Sequence, residues 1–532
     1  MTSPISRRTL LAGAAAGTAV FIAGCSSTSQ SSSAPQAPST DQGPAKVDPN
    51  KHGVFVKAPA ANVTATSAIG ISQALLSGAT AAVVLPAKAS GQSTPSPSPS
   101  RSPRHSASPT PSPSGSATPG SSAQEETALA VAKALGLPLF YDSPELADEL
   151  KRLQTRTIVS YGPSIDGIES VQGPASADQL PKLEGLPRTP DKTDQLVFAT
   201  GDLDAAEQAT LAAAGAEVTK LKSGNPGESK ESVAKAKADT APVLAVGSAF
   251  GTADKLNSRL ETARTVPELP GGGVVPFPGR RMIALYGHPE TPALGMMGEQ
   301  SPEKAVERVK KYVDEYQKLW PNDDVIGAFE IIATVASGSP GKDGKYSYQT
   351  AIDKLTPWLD VAEKNDIYCV LDLQPGRSDF LTQAKQYEEL LKRNWVGLAL
   401  DPEWRLKPNQ KHLAQIGQVG IDEINTVGTW LADLVRDNKL APKVLTLHQF
   451  QARMIVGRER LDTSRDEIQY LVHVDGQGTQ SMKQDTWGVL KQHLPANVVM
   501  GWKNFVDEDK PMLTPKQTVD QVHPAPYFIS YQ

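Results

Sequence analysis

Val396-Gly397-Leu398-Ala399-Leu400-Asp401-Pro402-Glu403 is a short apolar run that ends in two carboxylates around a proline. An unbroken apolar run closed by a turn signal reads as a strand buried on both faces, as in a parallel sheet. Working outward, seven similar runs appear between residues 282 and 532. They are Met282–Tyr286, Val325–Ile332, Ile367–Leu373, Val444–Leu447, Ile468–Val474, Val498–Trp502 and Tyr527–Tyr531. Amphipathic helices fill the gaps. Over 303–320 the stripe is Val306, Val309, Val313, Tyr316 and Trp320; over 420–437 it is Ile421, Ile424, Val427, Leu431 and Leu434. Thr514-Pro515-Lys516-Gln517 opens a shorter helix with a capping box. Strands alternating with helices over about 250 residues predict a (β/α)8 barrel spanning 282–532. The sequence stops at the eighth strand, so the barrel is expected to lack a final helix. Either the helix near 251–263 covers that gap or the barrel is open there.

In such barrels chemistry sits where the strands end. The ends here are polar: Tyr286 and His288 after strand one, Glu330 on strand two, Asp372 and Gln374 at strand three. Asp401, Glu403 and Trp404 follow strand four, His448 strand five, His473 and Asp475 strand six, and Trp502 and Lys503 strand seven. Charged groups are costly to bury unpaired, so this concentration points to a mouth that binds something.

The segment before the barrel is also α/β. Helical spacing over 66–76, a strand at Ala81–Leu85, a helix at Thr127–Leu135 and a strand at Pro138–Tyr141 follow in order. Ser143-Pro144 reads as N-cap and first residue of a helix over 144–153, and Arg156–Tyr161 as a further strand. The plan repeats over 193–265, with strands near Leu196–Thr200, Ala216–Leu221 and Pro242–Val246 and helices near 204–214, 228–237 and 251–263. The expectation is a doubly wound, flavodoxin-like module in two units, 51–165 and 193–265. Residues 166–192 and 266–281 read as linkers. A Ser-Pro and Thr-Pro tract, 91–124, reads as a disordered insertion in the first unit, and 25–50 as a disordered tether.

The chain has 532 residues, a net charge of -5 and two cysteines. That charge gives no footprint for a nucleic-acid partner. At the N-terminus, Arg7 and Arg8 precede an apolar stretch from Leu10 to Ala23. A charged region followed by a short apolar one is a secretory signal, and the stretch is shorter than the roughly 20 residues a spanning helix needs. Ser6-Arg7-Arg8-Thr9-Leu10-Leu11 resembles a twin-arginine export signal. Ile22-Ala23-Gly24-Cys25 resembles the lipobox of bacterial lipoproteins, which implies cleavage before Cys25 and lipid on its thiol. The signal peptide is then 1–24, and the address is the extracytoplasmic face of the cell membrane. Cys369 is left without an intrachain partner, in an apolar run where a buried core thiol is expected.

Two further resemblances bear on function. Ala128–Ala134, Leu135–Leu139, Glu149–Leu153 and Ile158–Gly162 resemble a type 2 cell-wall-binding repeat, an Ala-rich helix, a Leu-Gly-x-Pro-Leu strand, a Glu-Leu-x-x-Leu helix and a Val-rich strand ending in Gly. That family's Arg-Tyr is replaced by the stretch Asn62–Thr66. Val396–Glu403 resembles the strand-four signature of family 18 glycoside hydrolases, Asp-Gly-x-Asp-x-Asp-x-Glu. Gly397, Asp401 and Glu403 match, and Val396 and Ala399 replace the first two aspartates. Family 25 lysozyme-like barrels carry a similar Asp-x-Glu. The resemblance implies Glu403 as general acid and Asp401 as the residue that orients an N-acetyl group of the substrate. Strand alternation is expected to send both to the barrel mouth. Tyr286, Glu330, Asp372, Gln374, His448, His473, Asp475 and Lys503 are then candidate substrate-binding residues, with Trp404, Trp502 and Tyr286 as sugar-stacking surfaces. The implied partner is cell-wall polysaccharide or peptidoglycan. A non-catalytic glycan-binding barrel is the second reading. The third is a metal-dependent hydrolase, since His288, His448, His473 and Glu403 follow four different strands, as ligands do in barrel metallohydrolases. No cofactor is expected, and no metal ligand is assigned.

Overall fold

The computed structural model describes residues 51–88, 120–191, 193 and 195–532. The expected export signal, Cys25, the tether and most of the Ser/Pro insertion lie outside the described residues. The insertion ends earlier than expected, because an α-helix already runs over Gly120–Leu135.

All eight barrel strands form: Arg280–Gly287, Asp324–Ala336, Tyr368–Leu373, Val396–Leu400, Lys443–Gln449, Ile468–Val474, Val499–Asn504 and Phe528–Tyr531. Each is parallel to its neighbours, and the first pairs with both the second and the eighth. The barrel is therefore closed. Alternation splits the strand residues into two apolar layers. Ile283, Leu285, Phe329, Leu371, Leu398, Leu445, Trp502 and Tyr531 face the helix shell. Met282, Ala284, Ala328, Val370, Ala399, Val444, Leu471 and Phe528 fill the barrel.

The eighth strand is covered from within the described residues. Tyr531 of the eighth strand is covered by helix Pro302–Leu319, stacking on Tyr312 with ring centroids 4.1 Å apart and meeting the Tyr316 hydroxyl at 2.9 Å. The short helix Pro515–Gln521 packs beside it. Helix Ala253–Thr265 does not serve there, contrary to one of the two expectations. It packs against helix Lys230–Ala238 and strand Val63–Ala65, and meets the barrel at the N-terminal end of strand six, where Arg259 Nε lies 2.8 Å from Asp466. The stretch before strand one seals that same end. Val274, Val275 and Phe277 join the interior apolar cluster, and the buried Arg280 guanidinium donates to the carbonyls of Pro270, Gly272 and Val275.

The N-terminal module holds two four-stranded parallel sheets. One runs in the order Leu139–Tyr141, Ala81–Leu85, Thr157–Ser160, Glu169–Gln172; the other Val63–Ala65, Leu244–Val246, Val197–Thr200, Val218–Leu221. The flavodoxin-like expectation holds for the sheets, but they interleave along the chain. Val63–Ala65, from the segment assigned to the first unit, completes the second sheet beside Leu244–Val246. Asn62 helps fix it there, accepting from the amide of Val243 at 2.7 Å. The expected linker 166–192 contributes strand Glu169–Gln172. Ser143 and Pro144 do not start a helix. They form a turn, and the helix is Leu146–Arg152, capped at Glu145 without a side-chain hydrogen bond.

Candidate functional site

Residues that face inward low in the barrel are apolar; those at the C-terminal ends of the strands are ionisable. Tyr286, Glu330, Asp372, Asp401, His448, His473, Asp475 and Lys503 are all buried there. They follow from the same alternation that fills the interior below. Glu330 continues Ile326 and Ala328, and His448 continues Val444 and Thr446.

His448 is the hub. Its Nε2 lies 3.0 Å from Glu330 Oε1 and its Nδ1 2.9 Å from Asp475 Oδ2. Asp372 Oδ1 lies 3.9 Å from His448 Nε2, while the other Asp372 oxygen accepts from the Tyr286 hydroxyl at 2.9 Å. His473 hydrogen-bonds through Nε2 to Ser530 Oγ at 2.9 Å. Its Nδ1 stands 3.3 Å from Glu330 Oε1, off hydrogen-bond geometry. Gln374 donates to the Tyr286 hydroxyl at 3.3 Å, and Lys503 Nζ sits over the Tyr286 ring, 3.4 Å from its centroid. Glu330, His448 and His473 present ligand atoms that all lie within 4.8 Å of one another; so do Asp401, His448 and Asp475.

The field of this cluster separates its acids. Burial raises Glu330, but the two neighbouring imidazoles outweigh it and hold its carboxyl below the ordinary range. Burial raises Asp475 too, and is outweighed by the hydrogen bond and charge of His448. Asp372 is pushed up to about 6, by burial and by the charge of Glu330. Asp401 is raised well above the usual carboxylate range by burial, with Asp372, Asp475 and Glu403 adding to it. Glu403 is pushed up to about 7 by burial and by Asp475, against the pull of Lys503 and His448. Burial lowers His448, but the carboxylates of Glu330, Asp372 and Asp475 outweigh it and raise it well above the usual imidazole range. His473 is lowered by burial.

Asp401, still extended and two residues on from the inward Ala399, follows the alternation, whereas Glu403 reaches this site by another route. The strand ends at Leu400, and Pro402–Trp404 form a 3-10 turn that Asp401 caps, accepting from the Glu403 amide at 3.1 Å. Asp401 is buried beneath the turn and Glu403 is part-exposed on the rim. Trp404 is also part-exposed, edge-on to His412 with centroids 5.3 Å apart.

Two expectations fail. Trp502 is no sugar platform. It lies next to the inward Lys503, so it points outward, fully buried against Trp487 with its indole N–H on Asn504. His288 does not join the other histidines. It sits past the strand end, with Nε2 on Thr350 at 3.0 Å and Nδ1 accepting from the Glu290 amide. Sequence reading missed Ser530, the inward residue of strand eight that holds His473. Its signal was the alternation itself, two residues on from Phe528.

Compared with the models of known protein families, this chain matches none, and no curated protein matches it.

Proposed function

We propose that the barrel hydrolyses glycosidic bonds in N-acetylated cell-envelope glycan, with Glu403 as general acid and Asp401 beside it. Lipid on Cys25 would hold the chain on the outer face of the membrane, and the N-terminal module would lie against the wall. The observation that carries the reading is the carboxyl of Glu403. It stands on the rim of the mouth, reachable by a polymer, with its pKa near 7. Such an acid keeps a proton to give at neutral pH and is close to ideal strength for general-acid work. Asp401 lies directly below it, fixing the turn that presents it. Among the described residues no helix is long and apolar enough to cross a membrane, so attachment rests on the Arg7-Arg8 signal and Cys25.

A glycan-binding barrel without catalysis is the second reading. It is favoured by one observation: an Asp401 oxygen is engaged in capping the Glu403 amide, where a substrate-assisted mechanism needs an aspartate for the N-acetyl group. One assay separates the two. Soluble N-acetylglucosamine oligomers and digested peptidoglycan are incubated with wild type and with Glu403→Gln, and reducing ends are counted. The glycosidase reading predicts release by wild type and a loss of roughly a hundredfold or more in the variant. No release, with wall fragments bound equally by both proteins, establishes the binding reading instead. In cells, Cys25→Ala should move the exported chain from the membrane to the soluble fraction; retention on the membrane would sink the lipid anchor.

A further inference from the structure

We propose that Glu330, His448 and His473 bind a divalent transition-metal ion of the zinc type at the floor of the barrel mouth. This goes beyond the glycan reading and stands without it.

Three observations converge. The first is the donor set. Two imidazole nitrogens and a carboxylate oxygen, from strands two, five and six, come together with edges of 3.0 Å and 3.3 Å. Two ligands at about 2.0–2.1 Å from one tetrahedral ion stand roughly 3.3 Å apart. Two histidines and a glutamate, with a further position open, is a set that zinc accepts in hydrolytic sites.

The second is what the far side of each ligand does. His448 uses Nδ1 on Asp475, and His473 uses Nε2 on Ser530. Outer hydrogen bonds of this kind fix the tautomer that leaves the other nitrogen free to bind a cation. Asp372 is held in the same manner, by the Tyr286 hydroxyl on one oxygen.

The third is what the near side lacks. His473 Nδ1, Glu330 Oε2 and Asp372 Oδ1 have no hydrogen-bond partner, and all three residues are fully buried. An imidazolium at His448, bridging Glu330 and Asp475, accounts for the two short contacts but leaves those three atoms unmatched. Polar atoms left unpaired in a core are costly to bury. An ion between Glu330, His448 and His473 engages His473 Nδ1 directly. Its bound water would lie on the side bordered by Asp372 Oδ1, and its charge offsets the surplus of buried carboxylates. His288, grouped with these histidines by sequence, takes no part.

The test uses the full chain, purified, stripped with a chelator and titrated with zinc sulfate in a calorimeter. Cobalt replaces zinc in a parallel absorption measurement. Wild type should take up about one equivalent, and cobalt should give the intense visible bands of a low-coordinate N/O site. His473→Ala should abolish uptake. Asp475→Asn, which touches His448 only from behind, should fold normally and weaken binding about 10–100-fold. Glu403→Gln should bind as wild type does. A folded wild type that takes up no ion overturns the proposal, as does His473→Ala binding zinc undiminished. The outcome is separable from the glycan reading. Glycan cleavage by a protein that takes up no zinc removes the metal and leaves the glycosidase; uptake without cleavage does the reverse.

Discussion

At Pro402 the chain has no amide for a further ladder bond, and the strand stops two residues earlier at Leu400. That local fact puts Asp401 below the rim and Glu403 on it, and their environments then push both pKa values upward. For Asp401 the consequence is a stability that depends on pH. Its folded pKa lies well above the ordinary aspartate value. The folded form therefore keeps a proton that the unfolded chain releases above about pH 4. Stability tied to the neutral carboxyl is complete below that pH and is lost as pH rises toward the folded pKa. An asparagine is neutral throughout and can still accept from the Glu403 amide. Asp401→Asn should thus melt a few degrees higher than wild type at pH 7, with the difference closing toward pH 4. Equal melting at pH 7 would mean that Asp401 is not held neutral. The orientation of Trp502 was legible in the same terms and was misread. Once Lys503 is inward, a period of two sends Trp502 outward. His288 lies beyond the strand end, where alternation no longer constrains a side chain.

All eight strands were legible because parallel strands buried on both faces read as unbroken apolar runs. Val396–Leu400 and Ile468–Val474 fall at the boundaries read from the sequence. Less legible was how the eighth strand is covered, since that depends on tyrosines meeting across distant elements. Tyr531, fully buried, joins Tyr312 and Tyr316 over the seam between strands one and eight. Tyr531→Ala should cost about 3–5 kcal/mol in urea unfolding, as large-to-small changes in packed cores do, and Tyr531→Phe about 1 kcal/mol for the hydroxyl pair. A cost below about 1 kcal/mol for the alanine variant would mean that something else closes the seam. The Ser143-Pro144 signal failed for a local reason. A backbone bond from the Leu146 amide to the Ser143 carbonyl makes a turn of those residues before the helix begins.

The arrangement of sheets within the N-terminal module was hidden from the sequence. Nothing local in Val63-Thr64-Ala65 says that its neighbour is Leu244–Val246, about 180 residues away. Nor does sequence show that the module and the barrel share apolar packing. Phe198, Val233, Phe250 and Leu260 of the module belong to one buried cluster with Met282, Tyr368, Val444 and Phe528 of the barrel. A shared core couples the parts, so the described portion should unfold as a unit. Differential scanning calorimetry is expected to give one endotherm, with calorimetric and van't Hoff enthalpies in agreement. Two resolved endotherms would show that the parts fold separately.

The central claim is that Glu403 donates a proton at the barrel mouth, and its most direct test is the pH dependence of glycan cleavage. Only the protonated carboxyl can act as the acid, and its pKa is about 7. The rate in wild type should therefore hold on the acid side and fall about tenfold per pH unit above the pKa. A rate that stays level or rises through neutrality, or no cleavage at any pH, would contradict the account.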